Sequence, residues 1–410
     1  MATSSIRRYG ARMGMKALLI LAAGCASIAA AQPGGQRATA QPEASESAGF
    51  RDDARSIERL VNENYAYLER FEEGAMPISA RLRSEAEAVR DRASLLRYAE
   101  RALFALADHH AITGASFADS WAIVPSYADL WLERRGQAYV IEAVRDDSPA
   151  RRAGLRPGDR LVAIGGVAIA EAVAAFWDDL GLPVTSARAS FAARVLAAGR
   201  RDRPRRLIVQ GPAGPPREVA LQNLYAAAPP ARPPLTAAEQ SGALVLRLND
   251  SLGDDGAIAA FDAAMARARP GQPIVIDLRD TPGGGNTSVA RAIMGWFVER
   301  PRAYQIHNLP AEQRRTGIER QWIEQVLPRP GKYHRGPVEI RVGRWTGSMG
   351  EGLAIGFDAL GARVTGTRMA GLLGAVYDFR LEHSGLVIKL PAERLMHVNG
   401  TPREAFVPRQ

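Results

Sequence analysis

The chain has 410 residues, 46% of them hydrophobic and 24% charged, with a formal net charge of +9. That apolar content is ample for real cores, and the length suits roughly two or three domains. Arginine supplies most of the basic excess, without basic runs interleaved with aromatics, so nucleic-acid binding is not indicated; the single cysteine excludes a disulfide within one chain.

At the N-terminus Arg7, Arg8, Arg12 and Lys16 precede an apolar run from Ala17 to Ala31, and Ala29-Ala30-Ala31 before Gln32 offers a small-residue cleavage site. This is the pattern of an export signal over residues 1–31. The run, about 15 residues, falls short of the roughly 20 that span a bilayer, and no later segment reaches that length. The mature chain therefore reads as soluble and exported, with the periplasm as the expected compartment. Cys25, in Leu21-Ala22-Ala23-Gly24-Cys25, partly resembles a lipoprotein processing box with alanine at the usual leucine position. Cleavage before Cys25 leaves a lipid anchor, whereas cleavage after Ala31, which the imperfect box favours, leaves no cysteine. Either cut removes the four basic residues and lowers the formal charge from +9 to +5.

Residues 32–49, rich in Gln, Ala, Gly, Ser and Pro, read as a flexible tether. From Phe50 the spacing of Ile57, Leu60, Val61, Tyr65, Leu68 and Phe71 predicts helix, and a helical domain is expected over 50–112, ending in Leu106-Ala107-Asp108-His109-His110. Over 113–225 the pattern turns to strands, at 137–144, 160–164, 207–210 and 218–221, punctuated by Ser148-Pro149-Ala150, Ala153-Gly154-Leu155 and Pro157-Gly158-Asp159. The run from Ser148 to Gly166 resembles the core of a PDZ domain, a short helix closed by Gly154 and a strand ending in Gly165-Gly166. A Pro- and Ala-rich linker is expected over 226–238. Over 239–410 strands (243–248, 274–278, 338–342, 362–366) alternate with helices (257–268, 288–298, and one after Ser348), which predicts an α/β core on a largely parallel sheet, with an antiparallel appendix at 374–381 and 385–390.

Two turns carry candidate chemistry. Asp277-Leu278-Arg279-Asp280-Thr281-Pro282-Gly283-Gly284-Gly285 joins a buried strand to a helix, so its N–H groups can hold negative charge, although phosphate binding uses the same kind of turn. Ser348-Met349-Gly350-Glu351 opens a helix, and taken alone it is also the ordinary capping box. Together, and with a PDZ-like segment before them, they resemble the tail-specific, or C-terminal processing, serine peptidases: the first turn is similar to their D-L-R-x-N-x-G-G signature and the second to their S-A-S-E nucleophile turn. The resemblance implies a crotonase-like core, Ser348 as nucleophile, and oxyanion-hole N–H groups at Gly283, Gly284 and Met349.

Two positions depart from that pattern. Where the lysine-using branch has its base, after Gly366-Thr367-Arg368-Met369-Ala370-Gly371, this chain has Leu372, and its only mature lysines are Lys332 and Lys389. Thr281 stands where the family has asparagine. Leu106-Ala107-Asp108-His109-His110 instead resembles the L-x-D-x-H segment of the tricorn-like, histidine-using branch, which implies His110 as base; an ordinary polar helix end or a metal site at Asp108 and the histidines are the other readings. By the same resemblance Glu404, in Asn399-Gly400-Thr401-Pro402-Arg403-Glu404, is the expected orienting group for His110, with Asp108 a local competitor.

The expectation is thus an α/β, crotonase-like peptidase core with a β-rich PDZ domain and a small N-terminal helical domain. It would hydrolyse unfolded or C-terminally exposed proteins or peptides by acyl-enzyme chemistry, requiring no metal or cofactor, and the PDZ domain would capture or gate substrate. The alternatives are an inactive peptide-binding protein of the same fold and an acyl-thioester enzyme, against which export and the PDZ domain argue. No sequence feature sets the oligomeric state.

Overall fold

A computed structural model of the chain describes residues 41–227 and 232–409. The expected export signal, Cys25 and the start of the expected tether lie outside the described residues.

The helix Gln41–Asn64 buries Ala54, Ile57 and Val61, spaced three and four apart on one face. It begins inside the stretch expected as tether, because no Gly or Pro interrupts residues 43–48. Ser79 caps the helix Ala80–Ala88, and Asp91 with Ser94 forms a reciprocal cap on Arg92–Phe104. These helices do not enclose a core of their own. Their apolar faces share one cluster with the PDZ sheet and with Ile388 and Leu390 of a C-terminal strand and Leu386 just before it.

The PDZ sheet runs in the spatial order Leu130–Arg135, Ala138–Val144, Arg160–Ile164, Arg205–Gln210, Arg217–Leu221, all antiparallel, with Val167–Ala168 beside the third strand. Four of these strands were expected; the edge strand Leu130–Arg135 and the helices Ile169–Asp179 and Ser186–Ala198 were not.

The α/β core has the strand order Arg363–Gly366, Val338–Val342, Ile274–Asp277, Ala243–Leu248, Leu235–Gln240. The first four are parallel, with Ile274 opposite both Leu244 and Val338; the last is antiparallel and uses residues expected as linker. Every residue of Ile274–Asp277 is buried, as befits a central strand covered on both faces. A third sheet joins Ile112–Thr113, Val387–Met396, Arg302–Asn308 and Gln321–Val326, with Ala375–Arg380 also paired to Val387–Met396. Its first pairing, Ile112 opposite Lys389, brings the segment after the N-terminal helices onto the C-terminal strands.

Candidate active site

The two motif turns are laced together by threonines. Thr281 is wholly buried; its Oγ1 donates to the Leu248 carbonyl at 2.7 Å and its N–H to the Trp345 carbonyl at 2.9 Å. In return Gly347 N–H donates to the Thr281 carbonyl at 3.0 Å, and Thr346 Oγ1 donates to the Leu278 carbonyl at 2.8 Å. The Thr281 hydroxyl therefore ties the glycine turn to the end of the strand Ala243–Leu248, while its backbone N–H and carbonyl pair with the turn that carries Ser348. Gly347 is required by close approach, since a Cβ there would lie 2.8 Å from the Pro282 carbonyl oxygen.

Ser348 adopts φ 51° and ψ −116°, a backbone state that non-glycine residues rarely occupy and that costs on the order of 1–3 kcal/mol. Glu351 holds it there. The glutamate is wholly buried; its Oε2 accepts from Ser348 N–H at 2.9 Å and from Leu372 N–H at 3.2 Å, and its Oε1 accepts from Gly371 N–H at 2.8 Å. Burial pushes its pKa up to about 7, against the pull of Arg403 and of these N–H groups. The Ser-x-x-Glu pattern thus supplies the glutamate arm of a capping box, Glu351 accepting from Ser348 N–H, and the same carboxylate clamps the segment 371–372.

His110 meets Ser348 from the far end of the sequence. Its Nε2 lies 3.1 Å from Ser348 Oγ, and its Nδ1 lies 2.7 Å from the Leu373 carbonyl oxygen. A carbonyl accepts and does not donate, so Nδ1 carries the hydrogen and the Nε2 lone pair faces the serine hydroxyl. Asp108 sets the turn before it, accepting from His110 N–H at 2.9 Å and from Tyr65 Oη at 2.9 Å, and does not bond the imidazole. His109 points elsewhere: it stacks on Phe191 and accepts from Arg194 Nε at 3.1 Å. Burial, followed by the positive charge of Arg403, pushes the His110 pKa down to about 4.

The structure differs from expectation at two positions. Gly283 N–H is spent on the Asp250 carbonyl at 2.7 Å, so it is not free to hold an oxyanion. Gly284 N–H makes no hydrogen bond among the described residues, and a Cβ on Gly284 would meet Ser348 Oγ first, at 3.7 Å. Met349 N–H occupies the first turn of Met349–Ala359, where no helical carbonyl reaches it. Gly284 and Met349 remain as donors. Second, Glu404 does not bond His110: its Oε2 is buried without a hydrogen-bond partner, and burial raises its pKa. Arg403–Ala405 is a single 3₁₀ turn, in which neighbouring side chains diverge by about 120°, so only one of Arg403 and Glu404 can face the site. Arg403 does. It is 2% exposed, and its Nη2 donates to the carbonyls of Leu372 and Gly374, both at 2.8 Å, on either side of the carbonyl that holds His110.

Leu372, at the lysine position of the other branch, is buried, and a side chain added at Gly347 would meet its Cδ1 at 3.2 Å. Lys389 is paired with Asp378 at 2.6 Å and Lys332 with Asp262; neither bonds Ser348. Ser348 opens into a cleft lined by His110, Gly284, Gln305, Trp322, Met349 and Glu393. In the same lining His307 lies between Glu324 and Glu393; burial alone would depress its pKa, but the two carboxylates outweigh it and hold the value at about 9.

The PDZ domain abuts the turn that carries Ser348. Arg344 donates to both oxygens of Glu142 at 2.9 Å, Arg145 pairs with Asp280 at 2.8 Å, and Trp345 Nε1 donates to the Ala128 carbonyl at 2.7 Å. Trp131, Trp345, Ala370 and Leu372 fill the seam.

Comparison with known proteins agrees with this architecture. Residues 140–175 match the PDZ domain family. Among solved structures, the chain is similar to a photosystem II D1 C-terminal processing protease at 17% identity and a TM-score of 0.53, covering 89% of this chain and 92% of that one. It is likewise similar to mature CPAF complexed with lactacystin, at 15% identity and a TM-score of 0.52, covering 88% and 93%. This is the C-terminal processing protease fold, with a PDZ domain. No curated protein sequence matches the chain.

Proposed function

We propose that the protein is a serine peptidase that hydrolyses exposed peptide bonds through an acyl-enzyme. The observation that carries this reading is the 3.1 Å contact of His110 Nε2 with Ser348 Oγ, in an imidazole whose Nδ1 is tied to the Leu373 carbonyl. Ser348 Oγ attacks the substrate carbonyl as His110 Nε2 takes its proton; the C–N bond then breaks as His110 returns that proton to the leaving amine. Water repeats the cycle to release the acid. Gly284 and Met349 N–H groups receive the oxyanion. The partner of Nδ1 is a neutral carbonyl in place of a carboxylate, and Arg403 opposes a positive imidazole. The base is therefore weak and stays neutral far into the acid range, and the oxyanion it faces must supply much of the stabilisation of its charged form. The open cleft suits an extended segment of an unfolded protein.

A fluorophosphonate probe should label Ser348, with labelling lost in Ser348→Ala and His110→Ala, and an unfolded protein should be cleaved. A folded chain that neither labels nor cleaves any unfolded protein would instead be a peptide-binding protein of this fold. The leader over 1–31 supports export to the periplasm; mass spectrometry of the mature N-terminus distinguishes a chain starting at Gln32 from one lipidated at Cys25.

A further inference from the structure

PDZ domains take peptides by strand addition, which needs a bare sheet edge and a groove beside it. Here the edge strand is Leu130–Arg135, paired only with Ala138–Val144. Its other side is not bare. The helix Ser186–Ala198, which lies beyond the residues that match the PDZ family, packs on this strand and on the helix Ile169–Asp179 at once.

Each contact occupies a position that an added strand would need. Arg134 N–H, on the open side of the edge strand, donates to Ser190 Oγ at 3.0 Å. Arg194 lies over the Trp131 ring at 4.8 Å and pairs with Glu133 at 2.8 Å. On the opposite flank Trp177 Nε1 donates to the Arg188 carbonyl at 2.9 Å, and the Trp177 ring packs against Phe191. At the start of the edge strand, Asp129 is wholly buried in a two-point pair with Arg205 and accepts from Ala150 N–H. The helix is enclosed and not merely laid on the surface: Ala189, Ser190, Phe191, Ala192 and Ala193 are five consecutive buried residues, which spans every face of a helix.

We infer that the helix Ser186–Ala198 permanently fills the peptide groove of the PDZ domain, so that the protein selects substrates without reading a free C-terminal carboxylate. The domain then serves as the buttress of the nucleophile turn through Glu142, Arg145 and Ala128, and an internal bond in an unfolded segment is as good a substrate as one near a tail. Only the catalytic half of this inference rests on the peptidase reading.

The test uses the full chain and two pools of decapeptides randomised at the last four positions, one with free carboxylates and one amidated. In Ser348→Ala, amide hydrogen exchange of residues 130–135 and 186–198 should be slow and unchanged by either pool. Faster exchange in 186–198, or new protection of 130–135, with the carboxylate pool alone overturns the inference. In the unsubstituted protein the two pools should be cleaved with kcat/KM values within about twofold of each other, whereas a preference of about tenfold or more for free carboxylates overturns it equally. Where neither pool is cleaved, the exchange result decides the groove by itself, and the peptidase reading stands or falls separately on the cleavage of an unfolded protein.

Discussion

A base of unusually low pKa makes a sharp statement about pH. The neutral form of His110 accepts the Ser348 proton, so kcat/KM falls on the acid side as the free enzyme's imidazole titrates. A solvated histidine titrates near 6.5, whereas burial and Arg403 bring His110 to about 4, a difference of roughly 3 kcal/mol. At pH 5.5 a base of pKa 4 is about 97% neutral and one of pKa 6.5 about 9% neutral, so the peptidase should retain about nine-tenths or more of its plateau kcat/KM there. The assay is first-order cleavage of an uncharged peptide between pH 3.5 and 8, with circular dichroism at each pH to separate titration from unfolding. The linkage sign requires that control: unfolded His110 binds its proton near 6.5 and folded His110 only near 4, so stability present above pH 6.5 is progressively lost as pH falls through that window. Arg403→Met should move the acid limb upward but short of 6.5, because burial, the larger cause, remains. An acid limb centred at 6.5 in the folded native protein would refute the reasoning.

Ser348→Ala and His110→Ala should each lower turnover by about 10⁴ or more while leaving the melting temperature near native, checked by kinetics at matched concentrations of folded protein and by calorimetry. Gly284→Ala puts a methyl 3.7 Å from Ser348 Oγ, where the substrate carbonyl must lie, so kcat/KM should fall steeply without loss of stability. Glu351→Gln turns an amide NH₂ toward backbone N–H groups of Ser348 or the 371–372 segment; it should lose about 1–3 kcal/mol of stability by denaturant titration and lower kcat more than it changes KM. Glu404→Gln should change kcat/KM by no more than about twofold, since Glu404 does not bond the imidazole; a loss comparable to that of His110→Ala would return Glu404 to the orienting role.

Local pattern determined the elements whose physics is local. The buried strand Ile274–Asp277, the glycine turn after it, the Ser-x-x-Glu cap and the alternation of strand and helix around them are legible because periodicity and turn chemistry act over a few residues. The pairing of Ser348 with His110 was legible only through the family resemblance, since 238 residues separate them. Tertiary structure alone decided the rest. Nothing at Leu373 marks it as the partner of His110, because a backbone carbonyl has no residue identity, and which of Arg403 and Glu404 bonds the 372–374 segment depends on how one short turn lands on it. Gly283 and Gly284 are the same residue in sequence; only the approach of the Asp250 carbonyl makes one a structural donor and leaves the other open to the serine. The helix Ser186–Ala198 was not anticipated from the sequence, and its place against the sheet edge is set by packing with Trp131, Arg134 and Trp177, which come together only when the chain has folded.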